Sequence, residues 1–484
     1  MIFKSRIGNN FSEETKNVFS TFNCLKNEKN EEIFCVATVQ DAKNAAFLAK
    51  KAFREYKNTN AELRGTFLKK IANELETKRG ELIEMYCKES SLSISRANTE
   101  LDRTIFQLNY FSEHILGKDW HRTIVSPLLG TSVKIKTSLH AIGPVAVFGA
   151  SNFPFAYSTI GGDAASALAV GCPVIVKAHP MHAGTSCLVA DIVLNIAEEL
   201  ALPNGVFSHL LDNGHEIGTE LVEHEYISAV GFTGSVKGGR ALMDIAAKRI
   251  APIPVFAEMG SVNPVILFQS ELEKNFELWS DKLTLSISND AGQFCTKPGL
   301  LFVPDSPEGN KFIKELKKQL SLLEPTCHLH PNLFNSFKEQ VEEVFDWISC
   351  KQAYHSQPTL REITLDEYLN DYKYHEEFFG PQAIAVIYHS QQELEEMLDK
   401  LDGQLTTTFI GSKEEFDQYI NVVESAKEKV GRIIYNGVPT GVVVSDAMMH
   451  GGTYPASSDS RFTAVGLQSI YRFLRPVAIQ MMEV

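Results

Sequence analysis

A cysteine set among small and polar residues, in the segment DAGQFCTKPG, is the first place where this chain suggests chemistry. Cys295 follows a helical stretch and has Gly292, Gln293 and Gly299 around it, which leaves room for an electrophilic carbon to approach the sulfur. A reactive thiol needs access and polar or positive surroundings that favour thiolate. The ordinary alternative, a small buried residue, suits most of the other cysteines. Glu258, in FAEMGSVNP, closes an apolar strand, so its carboxylate is expected to be partly desolvated. Desolvation raises a carboxyl pKa and suits it to general-base work near neutral pH, although a surface glutamate at a strand end has the same local sequence. Asn152, in GASNFPF, lies just past another strand end, where ligands of open α/β sheets bind. Its amide can donate to an oxyanion, or it can simply shape the turn before Pro154. FTGSVKGGR, at 232–240, is a strand–turn–helix whose glycine-rich entry favours phosphate at a helix N-terminus. It is not the G-x-G-x-x-G fingerprint, and a plain tight turn reads the same way.

The elements that must position these residues are legible from periodicity. The first ~120 residues are helix-rich by that test. ATVQDAKNAAFLAKKAFREY and AELRGTFLKKIANELETKRGELIEMYCKES are the strongest amphipathic segments, with Thr38 an expected N-cap. Around 131–139, TSVKIKTSL alternates like a half-exposed strand. From 140 onward short apolar runs alternate with helices: PVAVFGA, CPVIVKAH, GVFSHLL, YISAVGFTGS and IPVFAEMG predict a parallel sheet wrapped by helices. A second set, PVILF, GLLFVP, QAIAVIY, LTTTFIG and RIIYNG, predicts a second α/β block. The terminal segment SIYRFLRPVAIQMMEV reads as a strand that needs a partner, and pairing with another subunit is one solution.

Composition narrows the class. A chain of 484 residues with 44% hydrophobic and 22% charged residues can bury large cores and is not predominantly disordered. The formal charge of −14 makes nucleic acid a poor partner, while leaving room for a local basic pocket for a phosphorylated cofactor. No apolar run approaches a membrane span, and the N-terminus lacks a signal-peptide core, so a cytoplasmic enzyme is the expectation. The 8 cysteines are scattered without a CxxC pair, which points away from a disulfide frame or zinc site. No metal is expected.

Taken in order, SNFPF, VIVKAH, FTGS, AEMGSVNP, GQFCTKPG and EEFFGP resemble the aldehyde dehydrogenase superfamily over nearly the whole chain. The resemblance implies roles. Cys295 matches the nucleophile, Glu258 the base that activates the hydrolytic water, and Asn152 the side-chain half of the oxyanion hole. Lys177 matches the lysine that holds the adenosine ribose, and Gly234 and Ser235 the turn near the pyrophosphate. Glu377 and Phe379 match the pair that positions the nicotinamide ribose and ring. The implied reaction oxidises an aldehyde to an acid through a thioester on Cys295, with hydride passing to NAD or NADP. The implied fold is α/β: a Rossmann-type cofactor domain (1–122 and 142–262), an α/β catalytic domain (263–465) and a small β oligomerisation ribbon (123–141 and 466–484). A homodimer or homotetramer is expected.

Ser151 before Asn152, Ala178-His179-Pro180 after Lys177, and the long HGGTYPASSDSRFTAVG segment depart from the commoner family pattern. They resemble the branch that contains α-ketoglutaric semialdehyde dehydrogenases and an NADP-dependent fatty aldehyde dehydrogenase. The preferred substrate is therefore 2,5-dioxopentanoate. A long-chain aldehyde is the alternative, and a coenzyme A-acylating enzyme the rival of another class. Pro180 replaces a glutamate that repels a 2′-phosphate in relatives, so NADP is expected to be tolerated at least. His215 stands where the branch suggests an arginine, and it would be a weaker, pH-dependent phosphate partner. His450, in MMHGG, is either a polar group near the thiol or nicotinamide or a loop histidine before paired glycines. Arg461, in SSDSRF, either meets a distal substrate carboxylate or faces solvent or a subunit.

Overall fold

The computed structural model describes residues 1–117, 119–128 and 133–482. Five parallel strands form the centre of its larger sheet, in the spatial order Val255–Glu258, Ala229–Thr233, Val145–Phe148, Val174–Lys177, Phe207–Leu210. The chain builds Val145–Phe148 first, adds two strands on one side, then crosses to add two on the other. The order therefore reverses beside Val145–Phe148, and the crevice outside the carboxyl ends of strands at such a reversal is where ligands bind. Asn152, Lys177, Gly234 and Glu258 all belong to those carboxyl ends.

The helices that cover this sheet follow from their apolar spacing. In Val39–Tyr56 the residues Ala42, Ala45, Ala46, Ala49 and Ala52 are buried, a narrow stripe that lets the helix lie close to the sheet. Thr38 caps it in a capping box: its hydroxyl accepts from the Asp41 N–H at 3.0 Å, and the Asp41 carboxylate accepts from the Thr38 N–H at 2.9 Å. The periodic segment at 61–90 is two helices, Ala61–Thr77 and Arg79–Ser90, parted at Lys78. The break lets Leu82, Ile83 and Tyr86 turn onto the same core as Ile71 and Leu75. The expected helical character of the first residues fails before 39. Strands of two or three residues occupy 2–35, and Arg6–Ile7 and Asn10–Phe11 extend the large sheet in antiparallel fashion. Ladders this short carry no periodic signal.

A second sheet of six parallel strands runs Thr359–Ile363, Gln382–Tyr388, Leu300–Pro304, Val265–Leu267, Gln404–Ile410, Val430–Tyr435. The strand Thr359–Ile363 is absent from the sequence reading, because TLREI alternates too briefly to stand out. The C-terminal strand begins at Leu474, not at Ser469: Leu467–Phe473 is a 3₁₀ segment whose Ile470 and Phe473 plug the core beneath the first sheet. Leu474–Met482 finds its partner within the chain, pairing antiparallel with Val133–Ala141, which in turn pairs with Ile124–Pro127. The expected strand residues at 131–132 and 483–484 lie outside the described residues. Among the described residues no helix is long and apolar enough to cross a membrane.

Arg472 fixes the return of the chain from the second sheet to the first. Its Nη1 donates to Asp163 Oδ1 at 2.7 Å and its Nε to Ser469 O at 3.1 Å, all in the interior. Breaking a buried pair strands the remaining charge at a cost of ~3–5 kcal/mol. Arg472→Met is accordingly expected to lower the denaturant midpoint sharply, and Asp163→Asn in the same background to restore part of it. Equal losses for the single and double variants would show that the pair does not hold this return.

Candidate active site

Three functional groups from distant parts of the chain converge at the carboxyl end of the first sheet. Glu258 is the last residue of its strand and 3% exposed; His450 comes from the loop that crosses back over the sheet and is 1% exposed. His450 Nε2 lies 3.0 Å from Glu258 Oε1 and 3.7 Å from Cys295 Sγ. Neither carboxylate oxygen of Glu258 receives a hydrogen bond. A buried carboxylate that accepts no hydrogen bond is costly to hold away from water, and His450 is the polar group beside it. Of the two readings of His450, the polar neighbour of the thiol is the one this geometry favours.

Cys295 is reached through an unusual backbone. Asp290, Ala291 and Gly292 have φ of 46°, 57° and 64°, three successive left-handed residues before Gln293. At Gly292 a Cβ would stand 2.4 Å from the carbonyl oxygen of Gly380, so only glycine fits. The loop is held from below by Asn263, whose Nδ2 donates to the carbonyls of Cys295 at 2.8 Å and Lys297 at 3.0 Å. Strained backbone persists where its surroundings over-determine it, and here they aim the sulfur into a cleft of about 450 Å³. The Asn152 Nδ2 donates to Gln293 O at 2.9 Å, which sets the amide beside the loop that carries Cys295.

Sequence reasoning expects surroundings that favour thiolate, and the structure shows the reverse at rest. Burial pushes the Cys295 pKa well above its usual value, and the nearby Glu258 and Glu377 carboxylates push it further, while Arg103 pulls the other way. These surroundings favour the thiol over the thiolate, so activation of the sulfur calls for a base at hand.

The residues expected to hold a cofactor lie along the same sheet edge. Lys177, at the end of its strand, donates to Asp212 O at 3.0 Å and stands 3.7 Å from Asp212 Oδ2. Burial lowers its pKa and Asp212 opposes that. Asp212 is 3% exposed, and its Oδ2 has no hydrogen-bond partner. His215 is exposed three residues along the same loop and makes no capping bond, and Pro180 opens the 3₁₀ turn after Lys177. Ser235 caps the helix Val236–Lys248, accepting from the Gly238 N–H at 3.1 Å, and Gly234 is exposed at its entry. Glu377 lies against Gly260, where a Cβ would meet its Oε2 at 2.5 Å. Burial raises the Glu377 pKa to about 7, with Lys297 pulling the other way. Lys297 is itself buried, and its Nζ donates to Phe378 O at 3.0 Å and Gln382 O at 2.6 Å. That strap ties the segment bearing Glu377 and the half-buried Phe379 to the segment bearing Cys295.

Arg461 is not brought to the site. Its side chain is 79% exposed and forms a two-pronged pair with Asp459 at 2.8 and 2.5 Å. A loop arginine beside an aspartate two residues away satisfies itself locally, so of the two readings of Arg461 the geometry favours the solvent-facing one over the substrate contact. Asn263, Lys297, Asp212 and Arg103 were not singled out from sequence. Asn263 lies within the AEMGSVNP motif, but an asparagine before proline reads as a turn, and the other three carry no local signal.

Removing the carboxylate nearest the sulfur should ease its ionisation. In Glu258→Gln the pH midpoint for iodoacetamide alkylation of Cys295, followed by peptide mass, is expected to move down. A midpoint that stays put or rises would show that Glu258 does not hold the proton on the sulfur.

Comparison with known proteins agrees with this geometry. The model of the aldehyde dehydrogenase family matches residues 12–465. The chain is 38% identical over 463 residues to an α-ketoglutaric semialdehyde dehydrogenase of Acinetobacter baylyi, covering 93% of this chain and 88% of that protein. It is 36% identical to α-ketoglutaric semialdehyde dehydrogenase 2 of Azospirillum brasilense, with the same two coverages of 93% and 88%. In fold it is similar to a 1-pyrroline-5-carboxylate dehydrogenase (TM-score 0.85, 21% identity, covering 100% of this chain and 93% of that one). It is also similar to the NAD⁺ complex of betaine aldehyde dehydrogenase from Staphylococcus aureus (TM-score 0.84, 21% identity, 99% and 95%). The chain belongs to the aldehyde dehydrogenase family, and is an oxidoreductase that acts on aldehydes with a nicotinamide cofactor.

Proposed function

We propose that this enzyme oxidises α-ketoglutaric semialdehyde (2,5-dioxopentanoate) to 2-oxoglutarate. The observation that carries the reading is the cleft above Cys295, which is walled by Ser93, Ser95, Arg96 and Arg103 as well as by aromatic rings. Such walls suit a short substrate with a charged end. They oppose the alternative of a fatty aldehyde, which needs an apolar channel. The relatives at 38% and 36% identity carry the same substrate in their names.

The chemistry follows from the cluster. The Cys295 thiol gives its proton to the His450–Glu258 pair as the sulfur adds to the aldehyde carbon. The second proton of the Asn152 amide, with the Cys295 N–H, stabilises the oxyanion of the thiohemiacetal. A bound nicotinamide supplies the acceptor for the hydride that leaves this carbon. The pair passes the thiol proton to solvent, and the thioester is then attacked by a water whose proton Glu258 accepts; the acid is released and the leaving sulfur takes that proton to restore the thiol. A buried glutamate free of donors beside the sulfur supports hydrolysis over transfer to coenzyme A.

For the cofactor, Lys177, Gly234, Ser235, Glu377 and Phe379 would bind and orient it, and the open N-terminus of Val236–Lys248 suits a pyrophosphate. The expectation of NADP tolerance rested on Pro180. Asp212 returns a carboxylate to the side of Lys177, where its Oδ2, ion-paired with Lys177 but accepting no hydrogen bond, can accept from a ribose hydroxyl and would repel a 2′-phosphate. NAD is therefore the favoured cofactor. For assembly, the antiparallel sheet of Ile124–Pro127, Val133–Ala141 and Leu474–Met482 exposes Ile124, Val125, Ile479 and Met481, the kind of apolar edge that a second copy covers. Eight free cysteines suit a reducing, cytoplasmic compartment.

Reduced-cofactor formation from α-ketoglutaric semialdehyde is expected to far exceed that from decanal and to vanish in Cys295→Ala; the opposite preference would move the enzyme to the fatty-aldehyde class. Glu258→Gln should form one equivalent of reduced cofactor per site and then stall, with steady turnover down by ~10²–10⁴-fold and an acyl adduct on Cys295 visible by mass. Asp212→Asn should tighten NADPH binding, read by its fluorescence, on the order of tenfold relative to NADH. An unchanged ratio would remove Asp212 from cofactor choice.

A further inference from the structure

The helix Ile94–Gly117 presents Arg96, Thr99 and Arg103 to the Cys295 cleft, at the spacing of one helical face. The two arginines differ in what already engages them. Arg96 is committed: its Nε is 3.0 Å from Asp290 Oδ2, its Nη2 is 3.6 Å from Glu100 Oε2, and its guanidinium lies 4.3 Å from the Phe153 ring. Arg103 has no such counterion. Among the described residues no carboxylate forms an ion pair with it. Its Nη2 donates to Tyr157 Oη at 3.0 Å, its Nε reaches Val442 O at 3.4 Å, and its buried Nη1 has no acceptor.

The position of Arg103 relative to the chemistry is set by one ring. Its guanidinium lies 4.9 Å from the Tyr157 centroid, and the Tyr157 and His450 rings are 6.2 Å apart, with His450 in turn beside the sulfur. The guanidinium and the thiol thus line one cleft, and the positive charge is felt at Cys295. A guanidinium kept half-buried without a counterion, with a spare donor, is a costly arrangement unless an anion comes to it.

We infer that Arg103 is the specificity-determining residue that binds the distal carboxylate of the aldehyde substrate, a role that the sequence offered as one of two readings of Arg461. A carboxylate at one end of a short chain would pair with the guanidinium while the carbonyl at the other end meets Cys295. Tyr157, bonded to Arg103 and packed beside His450, holds the guanidinium in register with the nucleophile.

This inference rests on the proposed substrate class but is tested apart from it. The measurement is kcat/KM for two matched pairs, α-ketoglutaric semialdehyde against pentanal and succinic semialdehyde against butanal, in wild type, Arg103→Met and Arg103→Lys. Each pair compares a carboxylate-bearing aldehyde with an uncharged one, so the ratio cancels general damage to the fold or the thiol. In Arg103→Met both ratios are expected to fall at least ~thirtyfold, mainly through KM, since truncating one partner of a desolvated charge pair costs affinity on that scale. Arg103→Lys should retain an intermediate ratio, because it keeps the charge and loses the planar fork. A fall of less than tenfold in Arg103→Met overturns the assignment, as does a wild type that does not discriminate within either pair. If Arg103→Met does not fold, an Arg103→Lys ratio equal to that of wild type overturns it instead. A wild type that prefers succinic semialdehyde would sink the proposed substrate while leaving Arg103 as the carboxylate anchor.

Discussion

A thiol, an imidazole and a carboxylate held within 4.8 Å of one another, largely out of water, are the constraint around which the rest of this molecule is arranged. Left to solvent, each would be unremarkable. Withdrawn from it, the carboxylate loses its hydration, and burial with that carboxylate nearby favours the thiol over the thiolate. Two sheets and a crossing loop meet to make this possible. Glu258 ends a strand of one sheet, Cys295 precedes a strand of the other, and His450 arrives on the loop that returns between them.

Such a cluster must be braced, because its members gain nothing by staying close at rest. The bracing is mostly neutral and mostly made to backbone carbonyls. Asn263 holds the nucleophile loop, Lys297 straps that loop to the segment carrying Glu377, and Gln293 links it to Asn152 through its carbonyl and to the Leu329 N–H through its side-chain oxygen. Backbone acceptors do not titrate, so these contacts persist while the catalytic groups exchange protons. The left-handed run from Asp290 to Gly292 is tolerated because those contacts leave the loop no relaxed alternative.

Charge around the cleft is distributed by a similar logic. Arg96 is matched by Asp290 and Glu100, and Arg472 by Asp163, so their burial is compensated within the protein. Among the described residues Arg103 is compensated by neutral partners, a hydroxyl and a carbonyl. Within one wall of one cleft, the structure thus separates an arginine that supports the fold from an arginine with capacity left for a ligand. Lys177 and Asp212 make a comparable pair at the carboxyl edge of the first sheet, where the Lys177 amine donates to the Asp212 carbonyl and one carboxylate oxygen accepts no hydrogen bond.

The sequence by itself determined the α/β class and the parallel strands and singled out Cys295 as the candidate nucleophile, because these rest on local signals. Apolar runs bounded by glycine and proline mark buried strands, and GQFCTKPG and AEMGSVNP are dense motifs in which chemistry shapes adjacent residues. Thr38 as a cap is local in the same sense. What only the tertiary structure decided are relations between residues far apart in the chain. His450 was an even choice until the loop brought it 3.7 Å from Cys295, and the Cys295 proton depends on carboxylates that fold against it from other segments. Arg461 and Arg103 are indistinguishable as letters; one lies beside an aspartate in solvent, and the other is carried by a helix into the cleft without a counterion. A side chain's chemical role depends on which groups share its dielectric and its hydrogen bonds, and long-range packing decides those.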